Sequence, residues 1–454
     1  MKQKILLVDP PYQLFAGYYR FYFPGGLASI AAKLRQDGHE VLIADLEHKT
    51  DNTSKTFIDN NESHEKILEG LAEHPVWENY KELLKNFNPS LVGITAVTPK
   101  IASVLKVAAI TKEVNAGAYV VVGGNHPTAR PQDLLKDKNI DLAVVGEGEM
   151  AMSKLAGIQT AGNRLKVLGN IIHENPVGNL DSLPFPARET LMELSSYRPI
   201  DMGMISTSRG CQYSCTFCDV PVQWGSKVRF RSVDNVLEEM EHVQRDFGTE
   251  YFSFRDSTFT FDRERTISLA QKIKERLDGV SWECLTKPNY IDAELIEILQ
   301  GAGCHKIRVG VESGSGEMVK YMKKGATLDD VRKTSKMLND SGIDWSAYFM
   351  LGTPQETAGS MDETYQFMKE INPPFISLTK YTPMPGSAMF DEVVKAGLLD
   401  PDSTDWTWAL NQSLQQVFVT KIDPDVFRKK MSEIAEYVKE HNSSKGLRDE
   451  RIKP

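Results

Sequence analysis

Three of the chain's five cysteines fall in one short run, Ser208-Arg209-Gly210-Cys211-Gln212-Tyr213-Ser214-Cys215-Thr216-Phe217-Cys218. Thiolates are the ligands that iron–sulfur clusters and zinc prefer, and a C-x3-C-x2-C spacing lets one loop wrap a single inorganic centre. The other two, Cys284 and Cys304, lie far away in sequence. Three local thiolates suit a cubane cluster that keeps one iron free of protein, and an open metal position can bind substrate, as catalytic zinc does and structural zinc does not. A zinc knuckle and a disulfide are the competing readings. Zinc usually takes paired Cys or Cys/His sets with a fourth local ligand, and no His follows within roughly twenty residues of Cys218. An odd cysteine count fits a disulfide scaffold badly.

Such a loop needs a scaffold to aim it. From residue 202 onward the pattern predicts six strand-then-helix units, with strands near 204–207, 251–255, 282–286, 306–311, 345–351 and 376–380. Helices are predicted near 233–247, 262–277, 292–302, 327–341 and 361–371. Six units in place of eight predict an open, partial (β/α)6 TIM-like barrel, whose chemistry gathers where the strands end. Those ends carry the cysteine loop, Arg255-Asp256-Ser257, Lys287, Glu312-Ser313, Gly352-Thr353-Pro354 and Tyr381-Thr382-Pro383. Asp256 and Glu312 are either cofactor ligands or ordinary strand-end acids. Lys287 either pairs with a carboxylate or cofactor, or is a solvated lysine before Pro288. Cys284, within a strand pattern, and Cys304, at the closed end of the barrel, read as small buried apolar residues. Return of a hydrogen atom from the Cys284 thiol is the alternative.

Ahead of the barrel, predicted strands at 5–9, 40–45, 91–95, 119–122 and 142–145 alternate with helices at 26–36 and 100–115 and a helical insertion at 62–87. That is a doubly wound, Rossmann-like α/β domain, with its ligand expected beyond the strands' carboxyl ends at a switch point. Asp9-Pro10-Pro11, Thr95-Ala96-Val97-Thr98-Pro99, Gly123-Gly124-Asn125-His126-Pro127-Thr128 and Gly146-Glu147-Gly148-Glu149 stand at those ends. Glycine pairs let backbone approach a bulky ligand, although a generic sheet of this kind also puts glycine and threonine in its turns. Tyr12, Phe15, Tyr18, Tyr19, Phe21, Tyr22 and Phe23 crowd the first of these loops. They either wall a cofactor pocket or fill it.

The expected domains are 1–155, a connector at 156–198, the barrel at 199–390 and a C-terminal region at 391–454. The connector holds a short strand at 170–174 and the proline-stiffened Leu180-Asp181-Ser182-Leu183-Pro184-Phe185-Pro186. Trp406, Trp408 and an amphipathic helix at 424–440 predict a small helical cap over the barrel mouth, with a polar, frayed tail at 443–454. The net charge of −9 comes from acids and bases mixed along 454 residues, without the basic stripe of a nucleic-acid surface. The opening Met-Lys-Gln-Lys-Ile-Leu-Leu-Val-Asp is too short for a signal h-region, and no apolar run of about eighteen residues occurs. A cytoplasmic location with free thiols is expected.

The cysteine run resembles the cluster loop of radical S-adenosylmethionine enzymes, and the strand-end segments of the first domain, Gly-Gly-x-His-Pro-Thr among them, resemble the branch with an N-terminal cobalamin-binding domain. The likeness spans residues 4–390. It implies a 4Fe-4S cluster on Cys211, Cys215 and Cys218, with S-adenosylmethionine on the fourth iron and cleaved to a 5′-deoxyadenosyl radical. It further implies Phe217 near the adenine, Asp256 at the cofactor's amino group, Glu312 at its ribose or methionine end, and Lys287 beside them. Thr95, Thr98, Gly123, Gly124, Asn125, His126 and Glu147 would line the cobalamin site. The Asp-x-His-x-x-Gly pattern of histidine-ligating cobalamin folds is missing here, as in many members of this branch. The implied activity is methyl transfer from the corrin to an unactivated centre of a small molecule, with electrons from an external donor such as flavodoxin or ferredoxin. A cobalamin-independent radical dehydratase, dehydrogenase or ring-forming enzyme is the first alternative. A non-catalytic metal- or cofactor-binding module is the second.

Overall fold

The computed structural model describes residues 2–16, 22–48, 60–160, 170–409, 414 and 416–445. Tyr18, Tyr19 and Phe21, and the tail beyond 445, lie outside them. The chain forms two compact units, the first of Met1–Asp201, Val222–Trp224 and Asp400–Leu410, the second of the remainder.

In the first unit, β1 (Lys4–Asp9), β2 (Glu40–Asp45), β3 (Leu91–Thr95), β4 (Tyr119–Gly123), β5 (Leu142–Val145) and β6 (Ile171–His173) pair in the order β2-β1-β3-β4-β5-β6, all parallel. Apolar runs such as Ile5-Leu6-Leu7-Val8, almost wholly buried, belong to a strand covered on both faces. The strand expected in the connector is β6, which extends the anticipated five-stranded sheet to six. Order reverses between β1 and β3, so the switch point lies there. The helical insertion is two helices, Asn60–Ala72 and Pro75–Phe87. The second starts on Pro75 with His74 accepting the Val76 N–H, and it stops at the left-handed Asn88.

The second unit is the open barrel. Its strands β7 (Met204–Ile205), β10 (Tyr251–Phe254), β11 (Ser281–Thr286), β12 (Cys304–Glu312), β13 (Asp344–Leu351) and β14 (Phe375–Lys380) form one parallel sheet, while β8 (Ser208–Arg209) and β9 (Arg229–Phe230) make a separate antiparallel pair. Five intervening helices each start on a side-chain cap, Ser232, Asp262, Asp292, Thr327 and Thr357, which satisfies an otherwise orphaned N–H and fixes where each strand-to-helix loop ends. The C-terminal helix Pro424–Ser444 lies on β14. Asn442 there accepts the Ile376 N–H at 2.9 Å and donates to the Ile376 carbonyl at 2.9 Å, so one side chain stands in for a neighbouring strand at the sheet's edge. Trp406 and Trp408, expected in a cap on the barrel, belong instead to the first unit.

Candidate functional site

The cysteine run is the loop between β8 and β9, whose ladder pairs Ser208 with Phe230 and Arg209 with Arg229. Gly210 adopts φ +102°, and a Cβ there would meet the Lys227 carbonyl at 2.3 Å, so the turn into Cys211 admits only glycine. Beyond it the backbone is pinned three times: Cys211 N to Gly225 O at 3.3 Å, Thr216 N to Met322 O at 3.0 Å, and Met389 N to Thr216 O at 2.8 Å. Cys211, Cys215 and Cys218 are free thiols, each half-buried. Burial pushes the Cys218 thiol up to about 12 and raises Cys215, whose thiol is opposed by the charges of Lys324 and Lys287. Among the described residues no three His, Cys, Asp or Glu side chains converge on one ion-sized point. A cubane takes one thiolate on each of three irons, and three free thiols on one clamped loop match that donor set. Phe217 is half-buried within the same loop.

The other strand ends close around it. Lys287 follows β11, is 5 % exposed, sits 3.0 Å from the Tyr213 ring centroid and donates to the Lys324 carbonyl. Burial lowers its amine to about 8, against the pull of the Cys215 and Cys211 thiols. Tyr213 is fixed in turn by Tyr290, hydroxyl to hydroxyl at 2.6 Å. Glu312 ends β12 at φ +69°, beside a register shift, and binds Lys324 at 2.5 Å. Burial works against the Lys324 charge, but the Glu312 carboxylate holds it above the ordinary lysine range. Gly310 leaves room for the pair, since a Cβ there would lie 2.7 Å from Lys324 Nζ. Asp256, 3 % exposed, accepts from Thr207 N at 3.2 Å, from Thr207 Oγ1 at 2.9 Å and from the Ser208 hydroxyl. Burial raises this carboxyl, against those hydrogen bonds. It is turned into the root of the cysteine loop. Arg265 braces the same root, donating to Thr207 Oγ1 at 3.2 Å and to the Arg231 carbonyl at 2.9 Å.

Several of these residues escaped the sequence reading. Lys324 and Tyr213 gave no sign of their place. Glu283 and Arg308 did, as charged residues inside strand patterns; they pair across β11 and β12, and Ser253 donates to Glu283 at 2.8 Å. Strand alternation puts Cys284 on the opposite face, with Trp282, whose indole reaches the Ala302 carbonyl on the helix side. Its thiol lies against that of Cys304, and both are buried.

In the first unit, Lys100 Nζ bridges Asp9 at 2.6 Å and Glu47 at 3.3 Å, all three buried. Glu47 also accepts the backbone N–H groups of Tyr12, Gln13 and Leu14, which holds the loop after β1. Thr95, Thr98, Gly123, Gly124, Asn125, His126 and Glu147 stand at the ends of β3, β4 and β5. Gly124 turns at φ +107° with Ala96 O close by, and Asn125 is exposed. His126 is buried with both ring nitrogens engaged, Nδ1 by Thr98 Oγ1 at 3.2 Å and Nε2 by Asp133 at 3.3 Å. Glu147 is buried and accepts the Val177 N–H. The aromatics of the first loop part company. Phe15 packs on Trp77, centroids 5.8 Å apart, and Phe23 lies under the Arg188 guanidinium, while Tyr12 stays at the strand ends. Small, turn-forming residues above apolar strands, over a braced loop, fit a broad cofactor.

The Radical SAM superfamily profile matches residues 205–368, and the B12 binding domain profile matches residues 16–156. An uncharacterized methyltransferase of Pyrococcus horikoshii is 30% identical over 348 residues, covering 74% of this chain and 76% of its own. Cytidylyl-2-hydroxyethylphosphonate methyltransferase of Streptomyces wedmorensis is 26% identical over 471 residues, covering 91% and 86%. Among solved structures, the radical S-adenosylmethionine methyltransferase TsrM of Kitasatospora setae, with cobalamin and a 4Fe-4S cluster bound, shares the fold at TM-score 0.66 and 19% identity, over 87% of this chain and 75% of that one.

Proposed function

Because the chain belongs to the radical S-adenosylmethionine superfamily, in the branch with a B12-binding domain, we propose that it is a cobalamin-dependent radical methyltransferase acting on a small molecule. The observation that carries the proposal is one chain holding a thiol loop clamped at a barrel's strand ends together with a matched B12-binding domain. That match disfavours a cobalamin-independent radical enzyme. When bound, the cluster supplies the electron that cleaves S-adenosylmethionine to an adenosyl radical, and the corrin carries the methyl group.

In this reading Cys211, Cys215 and Cys218 hold the cluster, and Phe217 flanks the cofactor's adenine. Asp256 is a positioning residue, because its oxygens are taken by Thr207 and Ser208 at the loop's root. Lys287 and Lys324 face the thiolates with positive charge, and Glu312 balances Lys324. Thr95, Thr98, Gly123, Gly124, Asn125, His126 and Glu147 of the first unit line the corrin site. Relatives named as a cytidylyl-2-hydroxyethylphosphonate methyltransferase and a bacteriochlorophyllide d methyltransferase support a small-molecule substrate; its acceptor is taken to be an unactivated centre. An electron donor of the flavodoxin or ferredoxin kind, no nucleic-acid partner, and a cytoplasmic location complete the reading. Among the described residues no helix is long and apolar enough to cross a membrane.

The test is anaerobic reconstitution with iron, sulfide and hydroxocobalamin, followed by gel filtration and incubation with S-adenosylmethionine and reductant. Iron with sulfide, retained corrin, 5′-deoxyadenosine and S-adenosylhomocysteine are expected together. Protein that keeps its cluster but retains no corrin would sink the methyltransferase; metal without sulfide would sink the radical chemistry.

A further inference from the structure

The thiol loop has an outer face. Gln212 and Ser214, between its first two cysteines, are exposed, and Tyr213 between them is half-buried. The Tyr213 ring begins a row of aromatic side chains in the second unit. It stands edge-on to Tyr290 with centroids 6.2 Å apart, Tyr290 stacks on Phe261 at 5.6 Å, and Phe261 stacks on Phe230 at 6.2 Å. Each of these four residues keeps part of its surface in solvent. Contiguous aromatic surface left open to water marks a place where another molecule binds.

Cations frame the end of the row nearest the thiols. Lys227 lies across from Gly210, at the entry to the loop. Lys320 and Lys323 flank Tyr321 and Met322, whose carbonyls accept the Thr216 hydroxyl at 3.2 Å and the Thr216 N–H at 3.0 Å. Gly325, just beyond, approaches Tyr213 so closely that a Cβ there would meet its ring at 2.9 Å. All three lysines are exposed, and none has an ion-pair partner among the described residues. Glu317, one turn before Lys320, is exposed and likewise unpaired. At the far end of the row the acids are occupied: Asp292 and Glu294 bind Arg263 at 3.3 Å and 2.5 Å, and Asp262 caps the helix after Phe261. The rim is therefore positive on a chain whose net charge is −9. Such a chain repels a second acidic protein at long range, so a local patch of unpaired cations decides where that protein can settle. Redox partners meet over small, transient interfaces, for which one open loop face with a charged rim is enough.

Resting on the radical reading above, we propose that the outer face of the thiol loop is the docking surface for a small acidic one-electron carrier protein. Tyr213, Tyr290, Phe261 and Phe230 are its apolar floor, and Lys227, Lys320 and Lys323 are its rim. The reduced carrier loses one electron there and the centre on the three cysteines gains it; no bond forms or breaks and no proton moves.

The test uses full-length protein reconstituted anaerobically, with an acidic flavodoxin as the carrier. Binding of oxidised flavodoxin is measured by calorimetry, and 5′-deoxyadenosine formation is timed with flavodoxin and its reductase or with titanium(III) citrate, which needs no docking surface. K227E/K320E/K323E should bind flavodoxin about tenfold more weakly at low salt and form deoxyadenosine about tenfold more slowly with it. Added salt should weaken binding to the unaltered protein and barely change binding to the variant. With titanium(III) citrate the two should agree within about twofold, at equal iron and sulfide per chain. K333E/K421E/K429E, the same charge change at exposed lysines elsewhere in the second unit, should behave as the unaltered protein. Unaltered protein that neither binds flavodoxin nor takes electrons from it would overturn the proposal. So would a rim variant that keeps its flavodoxin response, a control that loses as much, or equal slowing with titanium(III) citrate. Unaltered protein that yields no deoxyadenosine with titanium(III) citrate would sink the radical reading instead.

Discussion

Gly210 shows how much of the thiol loop's competence rests on a residue that touches no metal. Its positive φ and the 2.3 Å approach of the Lys227 carbonyl to a hypothetical Cβ leave no room for alanine without moving backbone. Gly210→Ala should therefore cut iron and sulfide per chain several-fold while every thiol remains, and destabilise the second unit by about 1–3 kcal/mol in urea denaturation. In the proposed reading Lys287 acts by charge. A cluster with three thiolates is anionic, and a buried cation beside it favours the reduced state. Lys287→Met should leave cluster content intact and lower its midpoint potential by on the order of tens of millivolts in an EPR-monitored titration. An unchanged potential would show that the lysine only packs on Tyr213.

Single elements carry their own electrostatics. The short helices Asn125–Ala129 and Pro131–Leu135 are joined by Arg130 and by Asp133, which binds Arg130 at 2.6 Å and His126 at 3.3 Å. Burial works to raise the Asp133 carboxyl, but hydrogen bonds from His126 and Arg130 hold it down at about 2. A carboxyl depressed on folding adds stability above its unfolded value, near 4, and that stability is lost as pH falls through its folded value. Asp133→Asn should thus cost about 1–3 kcal/mol at neutral pH and flatten the stability curve between roughly pH 4 and pH 2. Equal acid sensitivity in chemical denaturation of the two proteins would refute this.

At the scale of the molecule, two cores serve two cofactors. Ligands that bind only the folded state stabilise the unit that holds them, by about 2.7 kcal/mol at a hundredfold excess over Kd. Calorimetry should therefore show hydroxocobalamin raising the transition of the first unit and cluster assembly raising that of the second. A single transition raised equally by either would mean that the units melt as one. The first unit includes Asp400–Leu410, so its stability should depend on chain beyond the barrel.

Sequence alone determined the thiol trio, the six barrel strands, the doubly wound sheet and the strand-end positions of Asp256, Lys287 and Glu312, because ligand spacing, hydrophobic period and turn residues are local properties. Tertiary structure decided what depends on contacts between distant residues. It turned both Asp256 oxygens onto Thr207 and Ser208, brought Lys324 to Glu312, and fixed both nitrogens of His126. It also placed Trp406 and Trp408 in the first unit. No local pattern marks such pairings, since a side chain's partner is set by where the whole chain returns, as the Tyr12 hydroxyl on the Thr407 carbonyl shows.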